Sequence, residues 1–250
     1  MAERNLVYFV ADVHLGQDSP EAAAREDRFV RFLKELPAER MQALYLLGDI
    51  WDFWYEYRDV VPRNGVRVAA EMIRLRDAGV EVCFCPGNHD IWTFSLFKDL
   101  GIGYFEQPLF VNISGKEFCL GHGDLLGGAT RGYARMMKLF HCRFAQRLFA
   151  TLHPWLAYRM ARSWAKSSRR KHAGHVFRRE EETLYKYVAG VAEQRHVDFF
   201  VFWHYHEPVD MTLPDGAKFY ILDDWSDGGT PYGVFNGSSF ELRSPAGHAE

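Results

Sequence analysis

Short apolar runs alternate with amphipathic helical patterns along this chain, and this alternation is the feature that most constrains its fold. The pattern "AAAREDRFVRFLKEL" separates the first two runs, and "RVAAEMIRLRDAG", closed by Gly79 as a C-cap, separates the second and third. Strands that alternate with helices in this order predict an α/β fold with parallel strands buried on both faces. Six runs are predicted to be strands: 6–12, 43–49, 80–90, 116–124, 197–206 and 218–225.

The size and composition of the chain are those of one globular domain. It has 250 residues, of which 48% are hydrophobic and 25% are charged, and its apolar runs are too short to cross a bilayer. The N-terminal segment "MAERNLVYFVADVHLG" contains no cleavage site of small residues, so it is predicted to be the first strand rather than a signal peptide. The four cysteines have no zinc-site spacing, which favours reduced thiols in a cytoplasmic protein.

Five of the predicted strands end in side chains that are able to bind metal ions. The endings read "ADVHLG", "LGDIWD", "PGNHD", "GHGD" and "WHYHEP". Each motif alone is common in turns and helix caps. However, ligands of open α/β sheets bind outside the carboxyl ends of the strands, so we expect these five endings to meet in one site.

The donor groups of this site are carboxylate, amide and imidazole, without thiolate. Such a set suits two borderline divalent ions such as Mn²⁺, Fe²⁺ or Zn²⁺. Two ions need a shared anionic bridge, for which Asp49 is the candidate because it has no local partner in the sequence. A centre of this kind stabilises the oxygens of a phosphoryl group and provides hydroxide near neutral pH, which predicts hydrolysis of a phosphoester or phosphoanhydride.

The series D-x-H, G-D, G-N-H-D, G-H-G-D and H-x-H, from Asp12 to His206, resembles the motifs of the calcineurin-like metallophosphoesterase superfamily. The resemblance implies a four-layer αββα sandwich, in which helices flank two facing sheets, as one domain over residues 1–250. It implies that His89 stabilises charge on the phosphate or protonates the leaving group, and that Asp90 orients it. The implied ligands are Asp12, His14, Asp49 and His206 for the first metal, and Asp49, Asn88, His122 and His204 for the second.

Residues 125–179 form a basic block that is inserted between the fourth and fifth motifs. The block contains thirteen lysines and arginines and no acidic residue, although the whole chain carries a net charge of −3. Two basic amphipathic helices are predicted, the second beginning after Pro154 with Leu156, Met160 and Trp164 opposite its cations. The first helix is predicted to carry one apolar stripe: Met136, Met137, Phe140, Phe144 and Leu148.

These helices either pack on the core and leave their cations in water, or form a lid over the site. An apolar interior with a cationic rim favours a lid for an anionic amphiphile, and such helices also favour anionic membrane surfaces. Nucleic acid is disfavoured because the cations alternate with large aliphatic residues.

The segments "GHGDLLGGATRGYARMMKLF" and "LHPWLAYRMARSWAKSSRRKH" resemble the UDP-2,3-diacylglucosamine hydrolases of lipid A biosynthesis. The resemblance implies that a dimetal-activated hydroxide cleaves the pyrophosphate bond of UDP-2,3-diacylglucosamine, releasing UMP and 2,3-diacylglucosamine 1-phosphate. It implies Mn²⁺ as the metal and a cytoplasmic enzyme of a Gram-negative bacterium, peripheral on the inner membrane, with no protein partner. The implied substrate contacts are Asn88, His89, Arg131, Tyr133, Ser168, Arg169 and His172.

The sequence departs from that branch in three of its motifs. His89 stands where its best-known members carry arginine, Thr130 and Arg131 stand where an acidic residue precedes the Gly-Tyr pair, and Trp203 replaces the glycine of G-H-x-H. We predict that Trp203 points away from the metals, on the face opposite His204. Two alternatives remain open: a metallophosphoesterase for another nucleotide diphosphate, phospholipid or phosphodiester, and a non-catalytic scaffold, which the seven ligand positions disfavour.

Overall fold

The computed structural model describes residues 4–172, 177–205, 207–226 and 228–244, with the backbone alone for 166–172. All six runs predicted as strands form strands, and this part of the prediction is confirmed. The five strands that precede motifs end two or three residues before the first predicted site residue of the motif, so each motif lies in a loop. The six strands are β1 (Leu6–Val10), β2 (Met41–Leu47), β3 (Glu81–Cys85), β6 (Lys116–Leu120), β7 (Phe199–Phe202) and β9 (Lys218–Ile221).

The first sheet has six strands in the order β11-β10-β1-β2-β3-β4. Its strands β1 to β4 are parallel, as predicted, whereas β10 and β11 are antiparallel and extend the sheet beyond β1. The strands that were not predicted here are β4 (Gly103–Tyr104), β10 (Tyr232–Phe235) and β11 (Phe240–Arg243).

The second sheet has the order β5-β6-β7-β9-β8, with a parallel centre and antiparallel edge strands. The edges, β5 (Leu109–Ile113) and β8 (Val209–Thr212), were not predicted. Every residue of β8 is half-buried or exposed, so this strand lacks the continuous apolar run that marks the central strands.

Two sheets and the helices around them form four layers. One core lies between the sheets and contains Phe9, Tyr45, Phe118 and Val201. A second core joins the first sheet to α1 (Ala22–Glu35) and α2 (Val66–Asp77), and a third joins the second sheet to α7 (Thr183–Gln194). The predicted αββα sandwich is confirmed.

Helices α1 and α2 lie where the sequence predicts them. Gly79 ends the second helix with φ = +84°, a conformation that glycine adopts without strain, and its N–H donates to the carbonyl of Arg76 at 2.8 Å. A short helix, α3 (Leu96–Asp99), follows β3 and packs Phe97 into the same core.

Three helices occupy the basic block: α4 (Arg131–Phe140), α5 (Arg143–Ala150) and α6 (Pro154–His172), together called the helical insertion. Pro154 begins the last of them, as predicted. The prediction of one apolar stripe is wrong, because Cys142 adopts an extended backbone that separates α4 from α5. Met137 is buried, whereas Phe144 and Leu148 are 76% and 62% exposed. Within the described ranges, no helix combines the length and the apolar character that a membrane span requires.

Phe118 tests how strongly the core between the sheets contributes to stability. Its buried ring stacks on Phe199 at 4.8 Å and meets Phe235 edge-on at 5.0 Å. We expect Phe118→Ala to lower the free energy of unfolding by about 3–5 kcal/mol, because the truncation leaves a cavity. Denaturant unfolding in chelator measures the change, and Phe144→Ala, at an exposed phenylalanine, serves as the control within about 0.5 kcal/mol. Equal losses in both variants would contradict this account of the core.

Candidate metal centre

Four of the predicted metal ligands have a strained backbone. The φ angles of Asp12, His14, Asp49 and His204 are 49°, 50°, 52° and 76°. Seven non-glycine residues of the described ranges have positive φ, so more than half of them are predicted ligands. Such strain persists only where the surrounding structure enforces it, and it is typical of functional sites.

Glycines allow the loops after β2 and β3 to approach each other closely. A Cβ atom on Gly48 would lie 2.7 Å from the Cα of Gly87 and 2.8 Å from Nδ1 of His122. A Cβ atom on Gly87 would overlap Oδ1 of Asp49. The glycines of the G-D and G-N-H-D motifs therefore bring Asp49 next to the third and fourth motifs.

Asp90 ties the same two loops together. Its fully buried carboxylate accepts hydrogen bonds from the N–H groups of Gly87 at 2.7 Å, Ile50 at 2.9 Å, Asp49 at 3.2 Å and Trp51 at 3.4 Å. The side chain thus faces the backbone, and any orienting effect on His89 acts through the loop that carries both residues.

The ligands predicted for the second metal lie together. Nε2 of His122 is 3.3 Å from Oδ1 of Asn88, 3.5 Å from Oδ2 of Asp49 and 3.3 Å from Nδ1 of His204. Nδ1 of His122 donates to the carbonyl of Leu47 at 3.1 Å, so Nε2 is the ring atom that faces the other ligand side chains.

Asp49 is shared by two buried groups whose donor atoms lie within 4.8 Å of one another. One group joins it to Asp12 and His122, and the other joins it to His14 and His89. The shared position is the one expected of a bridging carboxylate. The second group also brings His89, the predicted catalytic residue, within reach of the His14 side of the centre.

Asp52 belongs to the site although sequence reasoning did not select it. Its backbone carbonyl accepts a hydrogen bond from Nδ1 of His89 at 2.9 Å, so Nε2 of His89 faces the centre. Its carboxylate Oδ1 lies 3.7 Å from Nδ1 of His14 and 3.9 Å from Nδ1 of His89. The signal in the sequence was the second aspartate of "GDIWD", three residues after Asp49.

Burial and crowding shift the pKa values of the metal-free site. Burial, followed by the charge of Asp49, raises the pKa of Asp90 to about 7, and burial likewise raises the pKa of Asp124. Burial alone would lower the pKa of His122, but the carboxylates of Asp49 and Asp12 outweigh it and raise the value to about 9. Five aspartates lie here with at most 4% exposure, so the donor set fits divalent cations: Asp12, Asp49, Asp52, Asp90 and Asp124.

The remaining predicted site residues are distributed unevenly. The hydroxyl of Tyr133, on α4, lies 3.5 Å from Oδ2 of Asp124, and the side-chain amide of Gln107 donates to Oδ1 of the same carboxylate. Arg131 is exposed at the start of α4. His206 lies outside the described residues, and so do the side chains of Ser168, Arg169 and His172.

Trp203 lies in the core between the two sheets. Its fully buried indole belongs to the same apolar cluster as Leu120 and Val201, while the next residue, His204, faces His122. The prediction that the ring points away from the metal centre is confirmed. The large residue is accommodated because the core, rather than the site, receives its side chain.

Comparisons with known proteins agree with this geometry. The profile of the Calcineurin-like phosphoesterase family matches residues 6–208. A UDP-2,3-diacylglucosamine hydrolase of Porphyromonas gingivalis is 37% identical, covering 96% of this chain and 98% of the relative. The enzyme of the same name from Proteus mirabilis is 31% identical over 90% of this chain and 93% of its own. A dimetal phosphatase from Danio rerio, 16% identical, has a similar fold with a TM-score of 0.53 over 97% and 96% of the two chains.

The pKa shifts predict how the stability of the metal-free protein changes with pH. Both Asp90 and His122 bind protons more tightly when folded, so the free energy of unfolding falls as the pH rises. For Asp90 the free energy of unfolding decreases between pH 3.8 and about 7, and for His122 it decreases between pH 6.5 and about 9. Saturating Mn²⁺ reverses the slope, because His122 must lose a proton before it binds a metal ion.

Urea midpoints between about pH 6 and 8.5, in chelator and in Mn²⁺, measure these slopes. The control is His122→Asn, which flattens the slope in chelator. Parallel slopes for the wild type and this variant would contradict the assignment to His122.

Proposed function

The chain belongs to the calcineurin-like phosphoesterase family, and from this premise we propose that it hydrolyses UDP-2,3-diacylglucosamine to UMP and 2,3-diacylglucosamine 1-phosphate. Its near-full-length relatives are named as hydrolases of this substrate, and cleavage of the pyrophosphate bond is the proposed reaction. One observation carries the proposal: the buried aspartates and histidines lie beside a basic insertion, whose Tyr133 reaches Asp124 at 3.5 Å. A phosphate-cleaving centre beside cations and apolar helices suits a substrate that is both anionic and acylated.

Two divalent ions bound here, with Mn²⁺ as the expected metal, would supply Lewis-acid stabilisation of the phosphoryl oxygens and a water of lowered pKa. Asp49 belongs to both candidate ligand groups, and Nε2 of His122 is turned towards the donors of the second set. The proposed ligands are Asp12, His14, Asp49, Asn88, His122, His204 and His206.

His89 is the proposed catalytic residue. Its Nδ1 is held by the carbonyl of Asp52, so Nε2 is the atom that faces the substrate phosphates. From Nε2 it is proposed to stabilise charge on the phosphate or to donate a proton to the oxygen that leaves with the diacylglucosamine phosphate. Oδ2 of Asp49 lies 3.9 Å from Nε2 of this ring, and Oδ1 of Asp52 lies 3.9 Å from Nδ1.

The helical insertion is the proposed binding element for the rest of the substrate. Tyr133, at the start of α4, lies next to the site on the side of Asp124. Tyr133, Arg131 and Asn88 are proposed to contact the polar part of the molecule. Ser168, Arg169 and His172 are proposed contacts near the end of α6. The acyl chains are proposed to lie against the apolar side chains of the insertion.

The insertion also carries apolar side chains that face outward. They alternate with cations, and this combination favours an anionic membrane surface. We therefore place the enzyme at the cytoplasmic face of the inner membrane, where an acylated substrate is found. The most exposed of these side chains are Leu139, Phe144, Leu148, Trp155 and Met160, which are 52–76% exposed.

Substrate choice tests the proposed reaction. In Mn²⁺, we expect UMP release from UDP-2,3-diacylglucosamine and turnover at least about 100-fold lower with UDP-N-acetylglucosamine, because the soluble sugar lacks the acyl contacts. Chromatographic detection of UMP measures both rates. Equal rates on both compounds would contradict the substrate assignment and favour a general nucleotide-diphosphate hydrolase.

Vesicle binding tests the outward face of the insertion. We expect Phe144→Glu combined with Leu148→Glu to weaken cosedimentation with anionic phospholipid vesicles at least about tenfold, because two apolar contacts are lost and two negative charges are added. The control introduces the same charges at Val61 and Val66, which are 45% and 55% exposed outside the insertion. Equal weakening in both double variants would contradict a membrane face on the insertion.

A further inference from the structure

We propose that Trp164, on α6, is a positioning residue that holds the imidazole of His89 in its reactive orientation. The centroids of the two rings are 5.5 Å apart, with an interplanar angle of 45°. This role deepens the proposed function, on which the assignment of His89 as the catalytic residue rests. With this role, the helical insertion orients a catalytic side chain in addition to binding the substrate.

Small side chains allow α6 to approach the loops of the site. Ala157, Ala161 and Ala165 recur at intervals of four residues, and each is at most 9% exposed. Ala161 packs against Phe53, Tyr55 and Trp92, which lie in the loops after β2 and β3. This close approach places the neighbouring Trp164 directly against His89.

The indole of Trp164 is itself held from the side of α4. Its ring meets Phe140 edge-on, with the centroids 5.5 Å apart. The carbonyl of Phe140 accepts a hydrogen bond of 2.8 Å from Nε1 of Trp92, which lies in the same loop as His89. The tryptophan is therefore fixed to two helices of the insertion and, through Phe140, to the loop that carries the catalytic histidine.

His89 is fixed on its other sides by groups in the loops after β1 and β2. Its ring is perpendicular to that of His14 at 5.0 Å, and its Nδ1 donates to Asp52. Trp164 adds a contact from the insertion, and this aromatic surface restricts rotation of the imidazole. Because small misplacements of a catalytic group reduce turnover strongly, we expect loss of the indole to affect kcat.

Hydrolysis of bis(p-nitrophenyl) phosphate in Mn²⁺ separates this role from acyl-chain binding, because the compound carries no acyl chain. We expect Trp164→Ala to lower kcat about 10- to 100-fold with little change in KM, and Trp164→Phe to restore most of the loss. Ser163→Ala is the matched control, since Ser163 is the neighbour of Trp164 on the same helix and is exposed. A loss confined to KM for the acylated UDP-sugar would overturn the proposal.

A double-mutant cycle with His89→Ala measures the coupling between the two residues. We expect Trp164→Ala to have little further effect on kcat once His89 is removed, because its effect acts through that side chain. An undiminished effect of Trp164→Ala in the His89→Ala background would overturn the proposal.

NMR of the histidine side chains gives a readout that does not depend on activity. The imidazole resonances of His89, identified by their absence in His89→Ala, should shift in Trp164→Phe and Trp164→Ala and stay unchanged in Ser163→Ala. Unchanged His89 resonances in all three variants would overturn the proposal. This test applies even if the enzyme does not cleave bis(p-nitrophenyl) phosphate. Failure of the UDP-2,3-diacylglucosamine assay alone would instead refute the substrate assignment and leave the contact between Trp164 and His89 intact.

Discussion

The carboxylate of Asp49 lies among other buried carboxylates, and the groups around it are arranged to compensate this negative charge. Charges buried in this way are costly unless hydrogen bonds or cations balance them. Asp90 receives four backbone N–H groups, and His122 holds a proton in the metal-free protein because Asp49 and Asp12 surround it. The remaining donors are left oriented for cations, which is why the site fits the dimetal chemistry of its family.

The loops around Asp49 are able to converge because the fold and the local backbone agree. Parallel strands of both sheets end at the same side of the sandwich, and Gly48 and Gly87 remove the side chains that would keep the loops apart. Positive φ angles at Asp12, Asp49 and His204 turn their side chains inward at the point where each strand stops. The packed cores on both sides of the sheets hold these strained residues in place.

The helical insertion is joined to the same loops through aromatic contacts. Phe53 and Trp92, from the loops after β2 and β3, pack against Phe149 of α5 and Tyr158 of α6. The elements that carry Asp52 and His89 are therefore also the elements on which the insertion rests. The insertion, which follows the fourth motif in the sequence, thus contacts the loops that carry the second and third motifs.

The sequence by itself determined the central strands, the helices between them and the motif residues, because continuous apolar runs and polar strand ends are local patterns. It did not identify β4, β5, β8, β10 or β11, which are segments of two to five residues that become strands only when a neighbouring strand supplies hydrogen bonds. The break between α4 and α5 and the place of Asp52 beside two histidines were decided by tertiary structure. Both features depend on contacts between residues that are distant in sequence, and the spacing of residues along the chain does not reveal such contacts.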